Sequence, residues 1–150
     1  VSPQAPVTDW FRGDDFHHNG AFFMMDAFNF YKNFGVPRPQ PITPDEFKNG
    51  IAASYEDNYD FFLNLGAIPN VKKNYCGDSV KFWNDLVEHG TLDEFWKSRE
   101  STQHLHNVKP AVMTVGGFFD AEDALGPFAV YKSIKEKNPH FTLGYAYRNQ

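Results

Sequence analysis

Apolar residues at Phe47, Ile51, Tyr55, Tyr59, Phe62 and Leu65 recur at spacings of three and four, which predicts one face of a helix ending at Gly66. Its start is written in Thr43-Pro44-Asp45-Glu46. Thr43 can cap the first amides, Pro44 suits the first helical position, and Glu46 can reach back as a capping box. A second helix is predicted from about Ser79 to His89, with Phe82, Trp83, Leu86 and Val87 as its apolar side and Gly90 as its stop. Thr91-Leu92-Asp93-Glu94 repeats the capping box and predicts a third, with Phe95 and Trp96 facing inward. Residues 19–34 also read as a helix, apolar almost all round and closed by Gly35-Val36-Pro37. A helix without a polar face is expected to be heavily buried, here against a partner domain.

The pattern changes after Lys109. Pro110-Ala111-Val112-Met113-Thr114-Val115 is a short, β-branched apolar run ended by Gly116-Gly117, as in a buried strand. A helix is predicted from Ala124 or Pro127 to Lys137, stopped by Asn138-Pro139. Phe141, Leu143, Tyr145 and Tyr147 then alternate as a strand would. Strand, helix, strand is a parallel crossover unit. The prediction is thus a mainly helical chain in which a helical block lies between pieces of an α/β sheet.

Composition narrows the functions open to this chain. With 150 residues, 41% hydrophobic and 22% charged, it can bury a core. Phe 16, Tyr 7 and Trp 3 suggest a ring-filled interior or an aromatic-lined site. A net charge of −5 with no basic block argues against a phosphate-tracking nucleic-acid binder. No apolar run approaches the roughly 20 residues that cross a bilayer. The single Cys76 excludes an internal disulfide and a multi-cysteine zinc site, and with no base beside it reads as an inert thiol. Val1 lacks an initiator Met before it and the chain stops on a strand-like stretch, so the sequence reads as a fragment of a longer protein.

Two acidic clusters are the candidates for chemistry. They are Gly13-Asp14-Asp15-Phe16-His17-His18-Asn19-Gly20 and Gly116-Gly117-Phe118-Phe119-Asp120-Ala121-Glu122-Asp123. Functional groups of open α/β sheets gather at the carboxyl ends of strands, and Asp120 lies just past such an end, where a carboxylate could orient a histidine from elsewhere. Glu122 and Asp123 open the following helix, where acidic residues also serve simply to complement the helix dipole. The Asp14, Asp15, His17, His18 group is poorly spaced for a metal, and His104 with His106, which could share a strand face, has no acidic neighbour. No metal or cofactor is expected.

These clusters carry a resemblance. Trp10-Phe11-Arg12-Gly13-Asp14-Asp15-Phe16-His17-His18-Asn19-Gly20-Ala21-Phe22 resembles the stretch that follows the nucleophile region in α-amino acid ester hydrolases. Those enzymes belong with the cocaine esterases and X-Pro dipeptidyl peptidases, serine hydrolases of α/β-hydrolase fold. Residues 110–126 resemble the family's acid-bearing turn, and the helical part between matches its cap domain in length and placement. The resemblance implies an end of a hydrolase strand and acidic loop in 1–18, a helical cap in 19–108, and a strand–helix–strand with the acid turn in 109–150.

It also implies roles. Asp120 falls at the triad acid, and Asp15, Glu122 and Asp123 at the carboxylate cluster that binds a substrate's α-ammonium group. Asp14 is the neighbour that could take Asp15's place, and Phe118, where the family has Trp, and Phe119 would form an aromatic wall. The nucleophilic serine should lie upstream of Val1. The family's histidine motif should follow Pro139, yet Phe141 to Gln150 lacks it and His140 does not match. The fragment alone should therefore be inactive. The implied parent hydrolyses esters or amides of α-amino acids, or passes the acyl group to an amine such as a β-lactam nucleus. Its expected partners are a small molecule with a free α-amino group, the remainder of the hydrolase chain, and a second copy through the cap. A periplasmic or secreted location is expected. The rival readings are an X-Pro dipeptidyl peptidase or cocaine-esterase-like carboxylesterase, and a non-catalytic helical interaction module.

Overall fold

The computed structural model describes residues 1–43, 51, 53, 55–120, 124–139 and 143–148, with Asn33 and 143–148 described by backbone alone. The chain is mostly helical with a few short strands. It divides into two compact units, Val1–Phe23 with Thr91–Gln150, and Met24–Gly90.

The first unit is organised on one strand. The β-branched run after Pro110 forms β3 (Val112–Gly117), which pairs in parallel with β4 (Leu143–Arg148), Val112 opposite Leu143 and Gly117 opposite Arg148. The start of the chain runs along the other edge of β3. Met113 N–H donates to Val1 O at 3.0 Å, Val115 N–H to Pro3 O at 2.9 Å, and Ala5 N–H to Val115 O at 2.9 Å. Gln4 bridges Val115 in parallel. Pro3 contributes only its carbonyl, so its missing N–H costs this ladder nothing.

The crossover helix α5 (Leu125–Lys137) covers one face of β3. Val130 and Ile134, one turn apart, pack with Val112, and Leu105 and Val108 complete the cluster. Asn138 ends the helix: its side-chain amide donates to Leu105 O and Ile134 O, both at 3.0 Å, and its carbonyl accepts Val108 N–H at 3.1 Å. The strand is not buried on both faces, as its apolar run suggests, because Met113 on the opposite face is 49% exposed.

Two predicted helices of this region start later than their apolar patterns do. Residues 17–22 form a hairpin, β1 (His17–His18) antiparallel to β2 (Ala21–Phe22). Its turn residues Asn19 and Gly20 have φ of 51° and 82°. Asn-Gly is the strongest short turn signal, since both residues tolerate positive φ, and here it overrides the apolar run. The helix near residue 91 begins on Asp93, whose side chain accepts Phe95 N–H at 2.9 Å, and spans only α4 (Glu94–Lys97). Thr91 is displaced as cap by a carboxylate closer to the first turn. Ser101–His104 is a 3₁₀ turn, so His104 and His106 do not share a strand.

The second unit holds α1 (Met24–Asn33), α2 (Asn58–Leu65), a π turn over Lys72–Cys76, and α3 (Lys81–Glu88). The cap expected at Thr43-Pro44-Asp45-Glu46 falls largely outside the described residues. Within them the helix predicted up to Gly66 begins only at Asn58. Asp57, in extended conformation, accepts Asp60 N–H at 2.9 Å and caps it there. The spacing of Ile51 and Tyr55 has a different origin: Ile51 is fully buried with its N–H on Tyr31 O, and Tyr55 stacks on Phe61 at 4.2 Å. Phe28 is the hub of this core, its ring 5.3 Å from Phe61, 5.4 Å from Phe62 and 6.0 Å from Trp83. α1 is buried on one side only. Ala27, Phe28 and Tyr31 face inward, while Met25, Phe30 and Phe34 are exposed and the last two stack at 4.6 Å.

Trp83 has no exposed surface, so Trp83→Ala should destabilise the protein by about 3–5 kcal/mol. Tyr59→Ala, at a residue 74% exposed, should stay within about 0.5 kcal/mol. Equilibrium urea unfolding of the two variants checks the contrast.

Candidate active site

Asp120 follows β3 by three residues, half-buried at the carboxyl end of the middle run of the sheet. Before it, Phe118 and Phe119 are 60% and 77% exposed. Their aromatic surface is open, as on a wall rather than in a core. Glu122 and Asp123, expected to form the carboxylate cluster with Asp15, lie outside the described residues.

The other acidic cluster is a loop built on two carboxylates. Asp9 Oδ1 accepts the N–H groups of Phe11 (3.1 Å) and Arg12 (2.9 Å), turning the chain back on itself. Asp14 is fully buried, and its Oδ2 accepts Thr8 N–H at 2.9 Å, Thr8 Oγ1 at 2.6 Å and Asp9 N–H at 3.0 Å. Asp15 follows at φ 50°, a left-handed conformation that Asp adopts more readily than most residues, and is half-buried. Asp14 and Asp15 thus differ in environment although they are neighbours.

The first acidic loop lies against the first turn of α5. A methyl group added at Gly13 would lie 2.6 Å from Leu125 Cδ2, and one added at Gly126 would lie 3.2 Å from Asp14 Oδ1 and overlap the Pro6 carbonyl oxygen. Between them is an open cleft of about 300 Å³ lined by Gly13, His18, Phe23, Ala124, Leu125 and Phe128. It is mostly apolar, with His18 the one ionisable side chain among these residues. Sequence reasoning missed His18, Phe23, Leu125 and Phe128 as lining residues. His18 and Leu125 lie inside or beside the two motifs, but nothing in the one-dimensional pattern separates a cleft wall from a core.

His17 is on the inside. Its Nδ1 lies 2.8 Å from Trp10 O, which can only accept, so Nδ1 carries the proton. The ring is boxed by Phe11 at 4.9 Å, Trp96 at 5.0 Å and Phe22 at 5.3 Å. Burial holds its pKa below the ordinary 6.5, against the opposing effect of the Trp10 hydrogen bond. His17 is therefore a neutral aromatic member of the core. Among the described residues no group of three His, Cys, Asp or Glu side chains is placed to hold a metal ion. Burial also pushes the Cys76 thiol up, away from the thiolate that a nucleophile needs.

The parallel strand–helix–strand, with a carboxylate past the end of its first strand, places the first unit in the α/β class. The X-Pro dipeptidyl-peptidase (S15) family model matches residues 1–147, and the chain belongs to that family. Its structure is similar to that of an aminopeptidase from the marine sediment archaeon Thaumarchaeota archaeon, with a TM-score of 0.76 and 30% identity over 96% of this chain and 24% of the other. It is similar in fold to a selenomethionine-labelled α-amino acid ester hydrolase, with a TM-score of 0.74 and 24% identity over 97% of this chain and 23% of that one. The chain thus spans about a quarter of the length of either structure. No curated protein matches it.

The buried His17 gives a pH prediction. Its pKa is lower folded than unfolded, so the unfolded state binds more protons, and the stability it contributes is full above about pH 6.5 and lost as pH falls below that value. His17→Phe should flatten this acid limb of an unfolding free-energy profile measured between about pH 5 and 8. An unchanged limb would place the titration on other groups.

Proposed function

We propose that this chain is the acid-bearing and substrate-recognition part of a serine hydrolase that cleaves esters or amides of α-amino acids. The observation that supports the reading best is Asp120, half-buried just beyond the carboxyl end of the middle run of a parallel sheet. Family membership and the fold shared with an α-amino acid ester hydrolase and an aminopeptidase favour the same class.

In this reading the rest of the parent supplies serine and histidine. The serine oxygen attacks the acyl carbonyl while histidine takes its proton and then delivers it to the departing alcohol or amine. Asp120 accepts the other ring N–H of that histidine, fixing its tautomer and stabilising the imidazolium. Water, or an amine acceptor, then releases the acyl-enzyme. Asp15, Glu122 and Asp123 bind the substrate's α-ammonium group, and three carboxylates around one point disfavour neutral or acidic acyl groups. Phe118 and Phe119 offer an apolar wall to the acyl side chain.

Two substitutions in the full-length parent test this. Asp120→Asn should leave the fold intact and reduce kcat by about 10⁴, the loss seen for a serine-protease triad acid; a loss under about tenfold would put the acid elsewhere. Glu122→Gln should raise KM for an α-amino ester while sparing the matching ester without the amine. Equal losses on both esters, with lowered stability, would instead identify Glu122 as a helix-dipole residue and favour the plain-esterase reading.

A further inference from the structure

Asp14 was the residue that sequence could not separate from Asp15, and its surroundings give it a different task. It has no exposed surface, and all three donors on its Oδ2 come from Thr8 and Asp9. Among the described residues its Oδ1 has no hydrogen-bond partner. That oxygen points at the first turn of α5, against Gly126, whose lack of a side chain admits both the carboxylate and the Pro6 carbonyl. The N-cap residue of the same helix, Ala124, supplies no side-chain cap. A helix N-terminus favours a carboxylate, and here the carboxylate comes from a loop far upstream in sequence.

We propose that Asp14 is a positioning residue: its buried carboxylate sets the Gly13–Asp15 loop against the first turn of α5, and so holds Asp15 in place for the substrate's α-ammonium group. The inference rests on the ammonium-site reading of Asp15 given above. Three features give it force. Asp15 is joined to Asp14 by one peptide bond and is held at φ 50°, so a shift of Asp14 is transmitted to it. Gly13, on the other side, packs against Leu125, the residue next to Gly126. The helix that both of them touch begins at Leu125, a short way along the chain from Asp120. Asp14 therefore acts on substrate only through Asp15.

The test compares an α-amino ester with its des-amino analogue in the full-length protein, using Asp15→Asn, Asp14→Asn and the double variant. Asp15→Asn should raise KM for the amino ester selectively. Asp14→Asn should do the same by about tenfold, the scale of one charge-assisted contact, with kcat on the des-amino ester retained. Added to Asp15→Asn, it should change the ratio of the two KM values no further, because the residue it acts through is already gone. A non-selective Asp15→Asn overturns the ammonium site itself. A selective Asp15→Asn beside an Asp14→Asn that harms both esters alike, or that still discriminates in full on top of Asp15→Asn, overturns the positioning role alone. Should Asp14→Asn fail to fold, Thr8→Val keeps the carboxylate and removes only its 2.6 Å bond. It should give a smaller rise of the same selectivity, and a non-selective effect there overturns the positioning role equally.

Discussion

A fully buried carboxylate is tolerated only where donors replace the water it has lost, and the Asp14 carboxylate obtains them from the backbone it organises. Thr8 and Asp9 turn their N–H groups onto it, which bends the chain out of the sheet edge at residues 1–5 and into the acidic loop. The same side chain needs room at the start of α5, and Gly126 provides it. Replacing that hydrogen by a methyl group would force the Pro6 carbonyl aside. The sheet edge, the acidic loop and the first turn of α5 therefore come together around one buried carboxylate and one glycine. Hydrophobic packing of Val130 and Ile134 on Val112 holds the far half of α5 to the strand.

The aromatic content serves this arrangement as well. Phe11, His17, Phe22 and Trp96 form a cluster under the hairpin, with His17 contributing as a neutral ring. Asn19 N–H on Arg12 O at 2.7 Å and Gly20 N–H on Phe11 O at 3.0 Å tie the hairpin turn to the start of the loop. The loop that carries Asp15 is thus closed on both sides by backbone hydrogen bonds, and rings fill the space beneath it.

Much of this was legible in sequence where one residue type has one physical use. The β-branched run of β3, the Asn138-Pro139 stop of α5 and the parallel crossover all follow from local rules. The hairpin was legible too, because Asn19-Gly20 states it, but the apolar run after it imitated a helix. Asp57 and Asp93 show the same competition: an aspartate near the first turn captures the amide and moves the start of the helix downstream of the apolar pattern. Ile51 is apolar at helical spacing because it is buried and Tyr55, half-buried, because it stacks on Phe61, and neither contact requires a helix. What no local pattern contains is the approach of Gly126 to Pro6 and Asp14, since neither glycine nor aspartate announces a partner so distant along the chain.

The two adjacent aspartates show how a backbone divides labour between identical side chains. Asp14 lies in the turn that Asp9 begins, its N–H on Asp9 O at 3.2 Å, and its carboxylate is drawn inward by the donors before it. At Asp15 the chain passes through positive φ, which reverses its direction and leaves this side chain half-buried rather than enclosed. A residue of ordinary φ at this point would extend the turn and carry the second carboxylate away from the loop. Aspartate is one of the few non-glycine types that accept such a conformation, so its presence at both positions satisfies two demands at once. At Asp14 the demand is for an acceptor, and at Asp15 it is for a backbone reversal that keeps a carboxylate in the loop lying against the start of α5.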